Sequence, residues 1–252
     1  MRLGLGRIGA GALLLMVAAG PVFAQPASPP LPPPRPDRPA VKPAEPTGDA
    51  VKDSGKRADD AKPTDAAPPD KEQLAEDAAC RDRLTALGIK FETRPPVRDE
   101  ACSVRNPVMV SQLPGGIALS PASLMTCPLA EALARWTGDS VKAQADKAFQ
   151  TSVTKLAIGT SYQCRNQTSG SKLSEHAFGN GVDIMGFEFA KRKALTVDFQ
   201  KIDSPEAAFQ ESVRSEACKV FTTVLGPGSD EAHGNHLHLD LRERKGDYRI
   251  CQ

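Results

Sequence analysis

The chain has 252 residues, and its 32 Lys and Arg residues nearly balance its 31 Asp and Glu residues. The resulting net charge of +1 argues against an electrostatic nucleic-acid binder, because such proteins hold phosphates with a clear excess of basic residues. We therefore expect no nucleic-acid partner.

The first 24 residues have the order of a secretory signal peptide. Arg2 and Arg7 form a short basic region, an apolar run follows, and Val22-Phe23-Ala24 ends it. The apolar run is short and interrupted by glycine, so we predict cleavage after Ala24 and no stable membrane insertion once the leader is removed. This interpretation predicts a periplasmic or secreted protein.

Residues 25–70 form a proline-rich segment. They contain 13 of the 22 prolines, no aromatic residue and no cysteine. A segment with so little apolar surface does not offset the entropy of ordering, so we expect a disordered, extended linker. We interpret it as a spacer, and a motif for a proline-recognition domain is the alternative.

Residues 71–252 are expected to form one domain with two main helices. The first is predicted to begin at Ser120 and Pro121, with Pro128 kinking it. The second is predicted to begin at Asp203 or Ser204 and to continue until Gly226. Its apolar residues recur at helical spacing, and they are Phe209, Val213, Ala217, Val220, Phe221 and Val224.

Short runs of β-prone residues separate these helices. The predicted strands are Ile117–Leu119, Val153–Ile158, Val182–Phe187, Leu195–Asp198 and Leu237–Leu241. Helices and strands do not alternate regularly, which argues against a doubly wound parallel sheet. The sequence therefore predicts an α+β fold, with a mainly antiparallel sheet flanked by helices.

All six cysteines lie beyond the leader, and none forms a CxxC pair. An even number in an exported protein indicates three disulfides, whose 15 possible connectivities the sequence does not separate. The wide spacings argue against a zinc site built from thiolates. The cysteines predicted to pair are Cys80, Cys102, Cys127, Cys164, Cys218 and Cys251.

The four histidines lie in only two stretches. His176 occurs in SEHAFGNGVDI together with Asp183, and His233, His236 and His238 occur in AHGNHLHLDL. In the second stretch leucines alternate with His236, His238 and an aspartate, so a strand would direct the leucines to the core and both histidines to the opposite face. Taken together, the two stretches predict a metal site of the zinc type, with three protein ligands and one open position.

The SxHx6D and HxH segments resemble those of the LAS metallopeptidases, which include lysostaphin, D-alanyl-D-alanine carboxypeptidase, the penicillin-insensitive murein endopeptidases and sonic hedgehog. From Cys80 to Gln252 the chain also resembles the bacterial extensin-like C-terminal domain. These resemblances imply a LAS-type or hedgehog-like fold. They also imply that the Zn²⁺ ligands are His176, Asp183 and His238.

Other roles follow from the same resemblance. His236 is implied as the catalytic histidine, and Arg165 as a group that holds a substrate carboxylate or the developing oxyanion. His233 and Tyr162 are weaker candidates for substrate binding. The carboxypeptidases carry a glutamate as general base at the position of Asn235, an amide that does not accept a proton.

Residues around these positions are expected to support the loop and the ligands. We predict that Gly179 and Gly181 give the loop before Asp183 freedom to turn, by adopting positive φ. Asp240 is interpreted either as a hydrogen-bond partner of a ligating imidazole or as an exposed aspartate. Glu175 is expected to be solvated.

The resulting hypothesis is an exported zinc-dependent hydrolase that cuts stem peptides or cross-links of peptidoglycan by activating water. One alternative is a zinc-containing module that binds wall peptides without cutting them, and Asn235 favours this alternative. The other is a metal that only braces the fold.

Overall fold

In the computed structural model, residues 71–168 and 170–252 are described. The predicted leader and proline-rich linker lie outside these residues. The helices are α1 (Lys71–Ala86), α2 (Cys127–Trp136), α3 (Lys142–Phe149) and α4 (Pro205–Ala217). The strands are β1 (Lys90–Thr93), β2 (Val97–Asp99), β3 (Cys102–Val104), β4 (Pro107–Leu113), β5 (Ile117–Thr126), β6 (Val153–Ile158), β7 (Gly181–Phe189), β8 (Leu195–Thr196), β9 (Thr223–Leu225), β10 (Leu237–Asp240) and β11 (Ile250–Cys251).

The described strands form one large mixed sheet and one small hairpin. The large sheet has the order β1-β4-β5-β6-β7-β10-β9-β11, with β8 also paired to β7, and β2 pairs with β3 separately. Its pairs are antiparallel except β5–β6 and β9–β11, which are parallel. The prediction of an α+β fold with a mainly antiparallel sheet is confirmed. A closer relation to the LAS fold stays a prediction.

The core centres on Trp136, which is fully buried. Its ring contacts Phe187 of β7 and Phe221, which follows α4. Its indole N–H donates to the backbone carbonyl of Val213 in α4 at 2.9 Å. The Trp136 side chain thus joins α2, α4 and the sheet, and this core supports the strands that carry the site.

The prediction that a helix begins at Ser120 was wrong. Residues up to Thr126 extend β5, because Ser120 pairs with β6 and the residues from Ser123 to Thr126 pair with β4. The helix begins one residue later, where the Thr126 hydroxyl accepts a hydrogen bond from the N–H of Leu129 and Pro128 occupies the first turn. Pairing with a neighbouring strand outweighs the local signals at Ser120 and Pro121.

The second predicted helix is correct at its start and too long at its end. The Ser204 hydroxyl accepts from the N–H of Ala207 at 3.1 Å and Pro205 opens α4. The helix ends at Ala217 instead of continuing to Gly226, and Val224 lies in β9. Both Ala217 and Val224 are buried, so the apolar pattern correctly marks buried residues although the chain changes from helix to strand between them.

Three disulfides join distant segments, which confirms the prediction that all six cysteines pair. The pairs are Cys80–Cys127, Cys102–Cys164 and Cys218–Cys251. The second ties β3 to the segment that precedes the His176 turn, and the third ties the end of α4 to β11. In the part of the chain that the structure describes, no helix combines the length and apolar character needed to span a bilayer.

Candidate metal centre

A short 3-10 turn, Glu175–Phe178, delivers the first histidine. The Ser174 hydroxyl accepts from the N–H of His176 at 3.4 Å and so begins the turn. Gly179 ends it with φ +62°, as predicted for a left-handed position. The same prediction for Gly181 was wrong, because the left-handed residues do not include it. A Cβ at Gly181 would lie in van der Waals contact with the His238 ring, whose Cε1 is 3.4 Å from its ideal position.

Strand pairing delivers the other two groups. β7 and β10 are antiparallel neighbours, and their register places His238 directly opposite Asp183. Leu237 and Leu239 are buried in the core, so His238 lies on the other face of the strand. The predicted face of the HxH segment therefore holds for His238, whereas His236 lies just before β10 begins.

Three donor atoms from these elements converge in a small triangle. The Nε2 atom of His176 lies 3.2 Å from Oδ1 of Asp183 and 3.2 Å from Nδ1 of His238, and the last two atoms are 2.9 Å apart. Tetrahedral zinc with bonds of about 2.0–2.1 Å requires its ligand atoms to lie about 3.3 Å apart. The residues present therefore fit a zinc-sized cation.

The outer nitrogens of both imidazoles donate to protein oxygens, so each ring in its neutral form has its acceptor nitrogen on the inner side. Nδ1 of His176 donates to the backbone carbonyl of Ser161 at 2.7 Å. Nε2 of His238 donates to Oδ2 of Asp240 at 3.1 Å. Each ring thus directs its remaining lone pair into the triangle, which is the arrangement that protein partners impose on metal-ligating histidines.

Without a metal, a proton among these groups offsets the repulsion of their lone pairs. Burial lowers the pKa of His238, but hydrogen bonds to Asp183 and Asp240 outweigh it and raise the pKa to about 9. Burial likewise acts to raise the pKa of Asp183, yet hydrogen bonds to His176 and His238 hold it well below its usual range. The metal-free centre is therefore an ionised carboxylate beside a charged imidazole.

His236 lies beside the triangle without belonging to it. Its Nε2 is 3.6 Å from Oδ1 of Asp183, and the three-residue group with mutually close donor atoms does not include it. Its Nδ1 donates to the side-chain carbonyl of Asn235 at 3.0 Å, which leaves Nε2 as the acceptor directed at the centre. Burial lowers the pKa of His236 from its ordinary value, so the ring is neutral at neutral pH.

A family model for the extensin-like protein C-terminus matches residues 78–252. The chain belongs to this family. The match includes the six cysteines and every residue of the centre described above, so the predicted resemblance to extensin-like domains is confirmed. No curated protein and no solved structure matches the chain.

A cleft of about 790 Å³ opens over one side of this centre in the extensin-like domain. His236 and His238 line it next to Arg165, which is held by bonds from its Nε to the Gln163 side chain and from its Nη1 to the Asn166 carbonyl. The cleft thus brings a histidine of the triangle together with two further predicted site residues.

The other two predicted substrate-binding residues of the extensin-like domain lie in different places. His233 lines the cleft, where Nδ1 lies 2.7 Å from Oδ1 of Asp230. Tyr162 lines a second, smaller cleft of about 290 Å³ beside Pro121, and its hydroxyl is buried without a partner among the described residues. Tyr162 follows Ser161, whose carbonyl accepts the hydrogen bond from Nδ1 of His176. This segment therefore supports the His176 ring on the side away from the triangle.

A second expectation about this site was also wrong. Glu175 is buried instead of solvated, because Asn180 donates to its Oε2 at 3.0 Å and Arg242 lies 3.9 Å from its Oε1. The sequence analysis also missed Thr223 and Arg244, which line the cleft. No local motif marks them, because pairing between β9 and β10 brings Thr223 to the site from 15 residues upstream of His238.

Proposed function

We propose that this protein is an exported zinc-dependent peptidase that hydrolyses peptide bonds of peptidoglycan. The observation that carries the proposal is the triangle formed by His176, Asp183 and His238, in which protein oxygens hold the outer nitrogens of both imidazoles and the second nitrogen of each ring faces inward. Such a set of nitrogen and oxygen donors suits Zn²⁺ and leaves a coordination position for a reactant. A zinc ion bound there supplies Lewis acidity that activates water and polarises a carbonyl.

Proton transfer falls to His236 in this proposal. Its neutral ring keeps an acceptor Nε2 near the triangle while Asn235 holds the other nitrogen. His236 takes the proton from the attacking water and passes it to the leaving amine. The amide at position 235 does not act as a base, and its contribution is to hold the ring of His236 in this orientation.

Substrate binding falls to the wall of the cleft. The guanidinium of Arg165 is held at Nε and Nη1 by neighbouring groups, and this arrangement suits recognition of a carboxylate. Peptide stems of the bacterial wall carry both amide bonds and free carboxylates. His233, whose orientation Asp230 fixes, completes the polar wall next to the centre. The resemblance to LAS peptidases supports the same substrate class.

The second candidate is a zinc-containing module that binds wall peptides without hydrolysis. Asn235 favours it, since this exposed amide stands where the carboxypeptidase pattern has a glutamate base. The two candidates share the metal and the cleft, and they differ only in turnover. An experiment that measures binding and product release separately therefore distinguishes them.

The test incubates the chain, purified after export, with isolated wall sacculi in the presence of zinc or a chelator. The variants are Asp183→Asn and, as a matched control, Asp139→Asn at an exposed position. We expect soluble muropeptides from the wild type and from Asp139→Asn with zinc, and none from Asp183→Asn or with chelator. Binding to sacculi without products would favour the binding module, and failure to bind zinc would refute both candidates.

A further inference from the structure

A second row of side chains lies behind the candidate zinc ligands. Asp240 is buried and accepts hydrogen bonds from Nε2 of His238 and from the backbone N–H of Arg242 at 3.0 Å. In the pairing of β9 with β10, Asp240 lies directly opposite Thr223. The carboxylate that holds His238 is thus held in turn by the neighbouring strand.

Thr223 connects this carboxylate to an arginine. Nη2 of Arg244 donates to Oγ1 of Thr223 at 2.7 Å, and Thr223 is the residue directly opposite Asp240 in the strand pair. A guanidinium has no acceptor, so the hydroxyl oxygen of Thr223 accepts from Arg244 and its single proton stays available for the Asp240 carboxylate. The direction of the hydrogen bond between Arg244 and Thr223 is therefore fixed.

Arg244 also holds the backbone at the same point. Its Nη1 donates to the carbonyl of Thr222 at 3.0 Å, so one guanidinium donates to two consecutive residues, Thr222 and Thr223, where β9 begins. The N–H of Thr222 donates to the backbone carbonyl of Asp240 at 2.9 Å. Both the side chain and the main chain of Asp240 therefore depend on the segment that Arg244 holds.

We propose that Thr223 and Arg244 are positioning residues for the metal centre, acting through Asp240 on the orientation and tautomer of His238. The inference rests on the proposed zinc site. The hydroxyl of Thr223 keeps the Asp240 carboxylate turned towards Nε2–H of His238, and this bond leaves Nδ1 as the acceptor that faces the metal. Neither residue belongs to the group of three close metal-binding side chains.

A merely structural role would give different results. If Arg244 only fastened β9 to the following loop, its loss would lower the stability of the fold without changing how His238 binds metal. The decisive readouts are therefore zinc affinity and the Nε2–H signal of His238, both compared with the melting temperature of the metal-free chain.

The experiment compares Thr223→Val, which removes only the hydroxyl, with Thr223→Ser, which keeps it. Arg244→Met keeps an apolar side chain of similar length and removes the guanidinium group that donates to Thr222 and Thr223. Thr154→Val, at an exposed position of β6, is the matched control. Zinc affinity is measured by competition with a chromophoric chelator, and exchange of the His238 ring N–H by NMR on the zinc-loaded chain.

We expect Thr223→Val and Arg244→Met to bind zinc about tenfold more weakly and to exchange the His238 ring proton faster. Thr223→Ser and Thr154→Val should match the wild type. Wild-type zinc affinity and an unchanged ring signal in Thr223→Val and Arg244→Met would overturn this inference alone. A wild type that binds no zinc would overturn the proposed function, and this inference with it.

Discussion

Zinc binding by this domain should depend steeply on pH in a range where an ordinary histidine site does not. Zinc requires the unprotonated Nδ1 of His238, while the metal-free centre keeps that nitrogen protonated against Asp183, with Asp240 on Nε2 of the same ring. The pKa of His238 in the metal-free centre is about 9, so zinc displaces a proton at every pH below that value.

The magnitude follows from this pKa. Between pH 6.5 and pH 8.0 the unprotonated fraction of a group with a pKa of about 9 rises about 30-fold, and zinc affinity should rise with it. For a histidine with an ordinary pKa of about 6.5 the same range gives only about a twofold change. The difference between about 30-fold and about twofold is large enough to decide the matter.

The metal-free domain should show the opposite dependence in its stability. Because the pKa of His238 is higher in the folded state than the unfolded value of about 6.5, its contribution is complete below pH 6.5. That contribution is lost as pH rises through about 9, and the free energy of unfolding should fall by up to about 3 kcal/mol. Zinc removes this loss, because the ligating ring carries no extra proton.

The assay is competition with a chelator of known proton affinities at four pH values, alongside urea unfolding of the metal-free chain. Asp240→Asn serves as the comparison, since it removes one of the two carboxylates that raise the pKa of His238. Its zinc affinity should vary less with pH than that of the wild type. A twofold or smaller change in wild-type affinity from pH 6.5 to pH 8.0 would refute the reasoning.

Two further outcomes are expected. His236→Gln should bind zinc within about threefold of the wild type and release muropeptides at least about 100-fold more slowly, because only the proton-transfer group is lost. A loss of zinc affinity as large as the loss of muropeptide release, measured with the chelator, would contradict this role. Trp136→Phe should lower the free energy of unfolding by about 1–3 kcal/mol, because it leaves a void and removes the 2.9 Å hydrogen bond to the Val213 carbonyl. Urea unfolding at constant pH measures this change. An unchanged unfolding midpoint would argue against a stabilising role for that bond.

The local sequence predicts most elements but not all their ends. β6 coincides with the predicted Val153–Ile158, and Pro205 opens α4 as expected, because both follow from local patterns. The helix predicted from Ser120 failed because pairing with β4 extends β5 to Thr126, and pairing between distant strands has no local signal. The pairing of the six cysteines into three disulfides has no local signal either, because each pair joins distant segments.

The candidate site likewise contains residues that the sequence predicts and residues that it misses. The resemblance to the LAS motifs implies His176, Asp183 and His238 as ligands, and the structure brings their donor atoms together. Each of them lies in a short motif that the sequence displays. Thr223 and Arg244 have no motif, and only the register between β9 and β10 relates Thr223 to Asp240. Glu175 was assigned to solvent because its partners Asn180 and Arg242 come from other parts of the fold.

The geometry also argues against a metal that only braces the fold. A structural zinc site is closed by four protein ligands, whereas the described residues supply three close donor atoms, and His238 opens onto a cleft. The surrounding segments are already tied together, since Cys102–Cys164 holds the chain near Ser161 and Cys218–Cys251 holds β11 beside β9. Because covalent links already supply the bracing, a cation bound at this centre would not be needed for that role.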